Sequence, residues 1–144
     1  MEIGIATLAG RTQVRDLVRL YQGVWEHSTG IIDLLASEAE CYLVTDNGTL
    51  CGYSFVEVDT KRGYGEIHDF AVAPGSRRKG LGRALMTDLQ RRYEQLRLIA
   101  DDTQEELKQF YTSMGFTEGQ LIENYYDVGR DGRRMEWRRK EKHA

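Results

Sequence analysis

Apolar residues recur along the chain with two spacings, which predict strands and helices in a regular order. Short apolar or alternating runs predict strands over residues 2–8, 40–45, 50–58, 65–72, 96–100, 116–122 and 133–138. Apolar residues spaced at three and four predict helices over residues 14–21, 81–93 and 102–114, with a second short helix or a structured loop over 25–37. This order predicts an α/β fold: a mixed, mostly antiparallel central sheet of six to seven strands flanked by about four helices.

The connections between these elements predict how the strands pair. A turn at residues 61–63 makes strands two to four consecutive and antiparallel. A helix of about a dozen residues joins the fourth strand to the fifth, which should therefore run parallel to it. Asp102 and Glu105 are predicted to cap the following helix, and Gly115 to end it. Met135 and Trp137 are predicted to face inward from the last strand.

The second and third strands carry the two cysteines of the chain. Asn47-Gly48 predicts a two-residue hairpin turn between them. In that register Cys41 faces Ser54, and Cys51 lies three positions further along the ladder, about 10 Å away. A disulfide joins Cα atoms no more than about 7 Å apart. Both cysteines are therefore predicted to be reduced, which suits a cytoplasmic protein.

Composition bounds the classes of protein that the chain can belong to. The 144 residues fit one domain, residues 1–144, and nothing resembles a linker or repeat. The net charge of −3, together with acidic residues interleaved in the basic run after residue 132, argues against a nucleic-acid partner. The sequence contains no apolar stretch of about 20 residues and no signal-peptide pattern, so neither a membrane partner nor secretion is expected. The three histidines lack metal-ligand spacing, and no metal is expected.

A basic, glycine-rich turn follows the fourth strand and opens the next helix. Pro74, the only proline, ends the strand, and the run Arg77-Arg78-Lys79-Gly80-Leu81-Gly82-Arg83 leads into the helix. A helix start leaves backbone N–H groups unpaired beside the positive end of the helix dipole. Glycine lets these groups approach an oxyanion closely. The turn is therefore predicted to bind an anion, with a phosphate group as its natural ligand.

Two motifs in this part of the chain resemble those of a known enzyme family. The spacing V-x-P-x-x-R-R-x-G-x-G in residues 72–82 differs from nucleotide and dinucleotide loops and resembles the acetyl-coenzyme A signature of the GNAT N-acetyltransferase superfamily. Downstream, residues 110–116 read F-Y-x-x-x-G-F, a second motif of that family. The resemblance extends from about residue 40 to residue 117. It implies a GNAT-like fold in which the fourth and fifth strands splay apart.

The resemblance also implies a coenzyme site and an acid. The pyrophosphate would lie on Arg77, Arg78, Lys79, Gly80, Leu81, Gly82 and Arg83, and the pantetheine arm on the main chain of Phe70, Ala71 and Val72. Gln104 stands where many relatives use an asparagine for the coenzyme. Tyr111 matches the tyrosine that protonates the leaving thiolate, and a phenol with a pKa near ~10 can do so at neutral pH.

The base and the acceptor site are left open by the sequence. Glu66, His68 and Asp69 are the candidate bases, and a water chain does this work in some relatives. Glu66 matches the catalytic glutamate of the histone-acetylating branch, whereas His68 has a suitable reference pKa near ~6.5. Possible acceptor contacts, from the first-helix loop and the closing strands, are Trp25, Glu26, His27, Asp33, Tyr125 and Tyr126.

The expected function is transfer of an acetyl group from acetyl-coenzyme A to a primary amine of a peptide, a protein or a small molecule. The branch that acetylates protein N-termini carries a glutamate on its fifth strand, where this chain has Ile99. One alternative is a coenzyme-A-binding or sensing module without turnover, and a weaker one is a phosphate-binding protein unrelated to acyl transfer. The sequence does not determine the oligomeric state, and a homodimer is one alternative.

Overall fold

Within the part of the chain that the structure describes, seven strands form one mixed sheet, and two helices pack against it. The computed structural model describes residues 7–8, 39–47, 49–72 and 80–140. In chain order the elements are β1 (Thr7–Leu8), β2 (Glu40–Asp46), β3 (Thr49–Asp59), β4 (Tyr64–Val72), α1 (Leu81–Arg92), β5 (Gln95–Asp101), α2 (Glu105–Ser113), β6 (Thr117–Asp127) and β7 (Arg130–Arg138). The helices predicted over residues 14–21 and 25–37 lie outside the described residues.

The sheet order is β1-β2-β3-β4-β5-β7-β6, which confirms the predicted mixed topology. Strands β2, β3 and β4 are consecutive and antiparallel, and β4 pairs with β5 in parallel. Strand β7 lies between β5 and β6, so the basic last strand is an interior strand. Neither described helix is long and apolar enough to cross a membrane.

Helix α1 supplies much of the core on one face of the sheet. Its residues Leu81, Leu85 and Leu89 are buried, as the helical spacing predicts, and Tyr93 follows as the C-cap. They pack with Ile67 of β4 and Met135 of β7, which is also buried as predicted. The helix thereby fixes the position of its own N-terminus at the end of β4.

A bulge in the β2–β3 hairpin changes the predicted cysteine register. Asp46 pairs with Thr49, as a two-residue turn requires, but the register shifts between Val44 and Thr45. Cys41 consequently faces Phe55, and the predicted pairing with Ser54 is wrong. Both cysteines are buried thiols and neither forms a disulfide, in agreement with the prediction that they are reduced. Burial, and then the nearby Asp69 carboxylate, raises the pKa of the Cys41 thiol to about 12, so it is unreactive at neutral pH.

The start of α2 also differs from the prediction. Its N-cap is Gln104, and Asp102 accepts hydrogen bonds from Lys108 Nζ and Arg133 Nε, each at 3.0 Å. Among the described residues no side chain caps α2, so the predicted capping role of Asp102 is wrong. Gly115 follows the helix with a φ of +93°, the left-handed conformation predicted for it.

Candidate active site

The strands β4 and β5 separate and leave a cleft between them. Their parallel pairing runs only from Gly65–Leu96 to Ile67–Leu98, although β4 continues to Val72 and β5 to Asp101. The cleft has a volume of about 90 Å³. Its lining residues are Ile67, His68, Asp69, Phe70, Leu98, Ile99, Ala100, Asp101, Leu107, Tyr111 and Tyr126. The splayed strands predicted from the resemblance are confirmed.

A β-bulge at His68 accompanies the separation. Val56 pairs with Ile67 and Phe55 with Asp69, so His68 is the extra residue of β4. In a regular strand Asp69 would share a face with Ile67, which lies in the core beneath α1. The bulge reverses this alternation and turns Asp69 toward Tyr53, whose hydroxyl donates to Asp69 Oδ2 at 2.8 Å. A carboxylate is thereby placed at the fork.

Tyr111 reaches the same cleft from α2. Its ring is only 5% exposed and packs against Phe70, Phe110 and Phe116, with centroid separations of 6.3, 5.5 and 5.7 Å. Burial raises the pKa of Tyr111 above its ordinary value, and the Asp69 carboxylate raises it further. The phenol therefore remains protonated at neutral pH. An apolar wall of aromatic rings thus holds a proton donor beside a carboxylate.

The other two candidate bases are held differently. The Glu66 carboxylate accepts hydrogen bonds from Arg134 Nη1 at 2.8 and 3.1 Å, and Glu66 is not among the residues that line the cleft. His68 lines the cleft, but its Nε2 lies 3.4 Å from the Glu57 carboxylate and its side chain is 37% exposed. Of the three candidate bases, Asp69 is the carboxylate that lines the cleft.

The N-terminus of α1 lies at the end of β4, as the anion-site prediction requires. Gly80, at the N-cap, adopts a φ of +80°, which favours glycine, and it has no side chain to cap the helix. The first turn contains no acidic residue. A Cβ on Gly82 would lie 3.6 Å from Val72 and from Phe110, so glycine leaves the backbone open beside the end of β4.

The structure describes only some of the other residues predicted to contact the coenzyme. Residues 73–79, with Arg77, Arg78 and Lys79, lie outside the described residues. Arg83 is exposed on α1 and its Nη1 donates to Ser113 Oγ at 3.3 Å. Gln104 begins α2 directly after β5. Their contacts with a coenzyme stay predictions.

The β6–β7 hairpin contributes Tyr126 to the lining of the cleft. The Tyr126 hydroxyl donates to the Ile99 carbonyl of β5 at 2.9 Å, and its ring meets that of Tyr125 edge-on at 4.9 Å. Tyr125 is 50% exposed. The remaining predicted acceptor contacts lie outside the described residues: Trp25, Glu26, His27 and Asp33.

An ion pair at the end of β5 was not predicted from the sequence. Asp101 is 1% exposed in the cleft wall and accepts a hydrogen bond from Arg130 Nη2 at 2.6 Å. Burial alone raises the pKa of Asp101, but the hydrogen bonds from Thr103 and Arg130 outweigh it and hold the pKa below its ordinary value of 3.8. The only sequence signal is an acid that ends an apolar strand, which also fits a surface turn.

Arg130→Met should lower the free energy of unfolding by about 1–2 kcal/mol at pH 7, because it removes a charged donor from a buried carboxylate. The folded pKa of Asp101 is depressed, so its contribution is present above the ordinary value of 3.8 and is lost as the pH falls through the folded pKa. The stability difference between the two proteins should therefore shrink below about pH 4. Urea unfolding across pH measures it, and a difference independent of pH would contradict the ion-pair account.

Comparisons with known proteins agree with this arrangement. A family model described as an acetyltransferase (GNAT) domain matches residues 37–118, more than half of the chain. No curated protein matches the chain. The fold is similar to that of the ribosomal-protein-S18-alanine N-acetyltransferase from Escherichia coli, with a TM-score of 0.80, 20% identity, and coverage of 99% of this chain and 97% of that one.

Two further solved structures share the fold at low identity. Ard1 from Thermoplasma volcanium has a TM-score of 0.78 and 21% identity, covering 98% of this chain and 100% of that one. Naa50 from Arabidopsis thaliana, in complex with the bisubstrate analogue CoA-Ac-MVNAL, has a TM-score of 0.77 and 17% identity, covering 94% and 98%.

Proposed function

Because the chain belongs to the GNAT family of acetyltransferases, we propose that it transfers the acetyl group of acetyl-coenzyme A directly to a primary amine. The observation that carries the proposal is that Asp69 and Tyr111 line the same cleft at the fork between β4 and β5. One group can accept a proton and the other can donate one. Direct transfer is expected because both cysteines are buried away from the cleft lining and cannot carry the acyl group.

The described residues fit the coenzyme at two places. The backbone of Phe70, Ala71 and Val72 lies beyond the last β4–β5 pair, where an extended pantetheine arm can add like a strand. The α1 N-terminus at Gly80 and Gly82 follows, and it suits a diphosphate. A backbone N–H of the β4 segment would polarise the acetyl carbonyl.

We assign the base to Asp69 rather than to Glu66 or His68. The Glu66 carboxylate accepts a hydrogen bond from Arg134 and does not line the cleft. The His68 ring lies beside the Glu57 carboxylate. A water molecule between Asp69 and the amine is compatible with the same role.

The protons balance in the proposed reaction. The acceptor ammonium gives one proton to Asp69, which passes it to solvent. The amine nitrogen then bonds to the acetyl carbon as the carbon–sulfur bond breaks, and the Tyr111 hydroxyl protonates the leaving sulfur. The second nitrogen proton, released as the amide forms, restores the phenol. The products are an amide, a thiol and one proton.

The acceptor is proposed to be an exposed amine of a peptide or protein. The Escherichia coli relative is named for an alanine of a ribosomal protein, and the Arabidopsis complex contains a peptide-derived analogue. The exposed Tyr125 beside Tyr126 supplies an open flank where a chain could lie. Small amines such as polyamines and aminoglycosides are the competing class. A cytoplasmic location accords with two buried cysteines that form no disulfide.

A panel of acceptors tests the function. We expect release of coenzyme A thiol with peptides that have a free α-amine or a free lysine, and a product heavier by one acetyl group. Peptides with every amine blocked are the matched control. Turnover with small amines alone would assign that competing class. Calorimetric binding of acetyl-coenzyme A without turnover on any acceptor would favour the sensing module, and no binding at all would overturn the proposal.

A further inference from the structure

Tyr53 of β3 is a buried phenol whose hydroxyl reaches Asp69. We propose that Tyr53 is a positioning residue, whose hydroxyl holds the Asp69 carboxylate in the orientation that accepts the acceptor's proton. The proposal rests on the assignment of Asp69 as the base. Tyr53 does not line the cleft, so it acts through Asp69.

Strand β3 holds Asp69 at two points. The Tyr53 hydroxyl donates to Asp69 Oδ2 at 2.8 Å, and the Ser54 hydroxyl donates to the Asp69 carbonyl at 2.8 Å. Asp69 itself pairs with Phe55 across the bulge. Hydrogen bonds from β3 thus hold both the main chain and the carboxylate of Asp69.

Tyr53 is well fixed and remains a donor. Its side chain is fully buried, at 0% exposure, and its ring packs edge-on against Phe55 with a centroid separation of 5.5 Å. Burial, followed by the Asp69 carboxylate, raises the pKa of Tyr53 above its ordinary value. The Tyr53 hydroxyl therefore stays protonated at neutral pH and holds Asp69 Oδ2 as a hydrogen-bond donor.

Several elements present titratable groups to Asp69. They are Cys41 from β2, Tyr53 from β3, Tyr111 from α2 and Tyr126 from β6. All four are uncharged at neutral pH. Tyr53 donates directly to the carboxylate at 2.8 Å and does not line the cleft, so its loss should change Asp69 more than it changes the coenzyme site.

The test is Tyr53→Phe in the full chain, assayed with an acceptor that the wild type acetylates. We expect kcat to fall about tenfold, because a misoriented base transfers protons less efficiently, while KM for acetyl-coenzyme A stays within about twofold. The acidic limb of the kcat/KM profile should move to higher pH, because the charged carboxylate loses a donor that favours it. An unchanged profile, or a fall confined to KM, overturns the proposal.

Tyr42→Phe is the matched control. It removes a phenol–carboxylate hydrogen bond from a tyrosine that is 4% exposed, but at Glu40, away from the cleft lining. If both variants lose stability but only Tyr53→Phe loses kcat, the kinetic change comes from the positioning of Asp69 and not from lost packing. Equal kinetic losses in both variants overturn the proposal.

A double variant separates this inference from the function itself. If Tyr53 acts through Asp69, Tyr53→Phe should cause no further fall in kcat in an Asp69→Asn background. A full additional tenfold fall there overturns the positioning role alone. Full turnover in Asp69→Asn overturns the base assignment and this inference together, while thiol release by the wild type still upholds the transferase.

Discussion

Tyr111→Phe is expected to lower kcat by about 100-fold, at the low end of the range for losing a general acid. The substitution keeps the ring contacts with Phe70, Phe110 and Phe116 and removes only the hydroxyl. Because burial raises the pKa of Tyr111, the wild-type phenol is protonated at neutral pH and available as a donor. Thiol release at saturating substrates measures kcat, and calorimetry should show acetyl-coenzyme A affinity within about twofold.

Tyr64→Phe is the control for that measurement. Tyr64 begins β4, at the far end of the strand from the fork, and its ring lies under the Arg97 guanidinium at 4.8 Å. It should leave kcat within about twofold, since the hydroxyl is remote from the cleft lining. Wild-type kcat in Tyr111→Phe would show that another group or water protonates the thiolate.

The sequence predicts the framework of the site because that framework depends on local patterns. The spacing of Leu81, Leu85 and Leu89 predicts the buried face of α1. The glycine-rich turn before this pattern predicts where the N-terminus of α1 lies. Tyr111 is predicted within an amphipathic helix that ends at Gly115. Each of these depends on residues within a few turns of one another.

The interior of the site depends on contacts that no local pattern encodes. The bulge at His68 decides which face Asp69 occupies, and a bulge has no residue signature in a single sequence. Tyr53 meets Asp69 across 16 residues, and Arg134 meets Glu66 across 68. These pairings follow from strand register, which depends on the assembled sheet.

The β6–β7 hairpin shows the same limit. Strands were predicted over residues 116–122 and 133–138, but β6 extends to Asp127 and β7 begins at Arg130. The polar, turn-like composition of residues 123–132 hides this extension. Pairing of β7 with β5 on its other edge stabilises the longer hairpin, and Tyr126 is thereby brought to the cleft.

Gly52→Ala is expected to cost about 3 kcal/mol of unfolding free energy and to weaken acetyl-coenzyme A binding at least fivefold. A Cβ at this position would lie 2.7 Å from the Ala71 carbonyl oxygen and 3.3 Å from Val72 Cα. These are backbone atoms of the paired β4 strand, and they cannot rotate away as a side chain can. Relief requires β4 to shift in the segment that we propose binds the pantetheine arm.

Gly119→Ala is the matched control for Gly52→Ala, because it also adds a methyl group to a strand glycine. Its Cβ would meet its nearest neighbour, the Arg134 carbonyl oxygen, at 3.4 Å, an ordinary contact. Urea unfolding should place this variant within about 0.5 kcal/mol of the wild type, with unchanged coenzyme affinity. If folded Gly52→Ala binds acetyl-coenzyme A as tightly as the wild type does, the exact path of β4 at Ala71 and Val72 does not matter to the coenzyme. The main-chain contacts proposed there would then have to lie elsewhere on the strand.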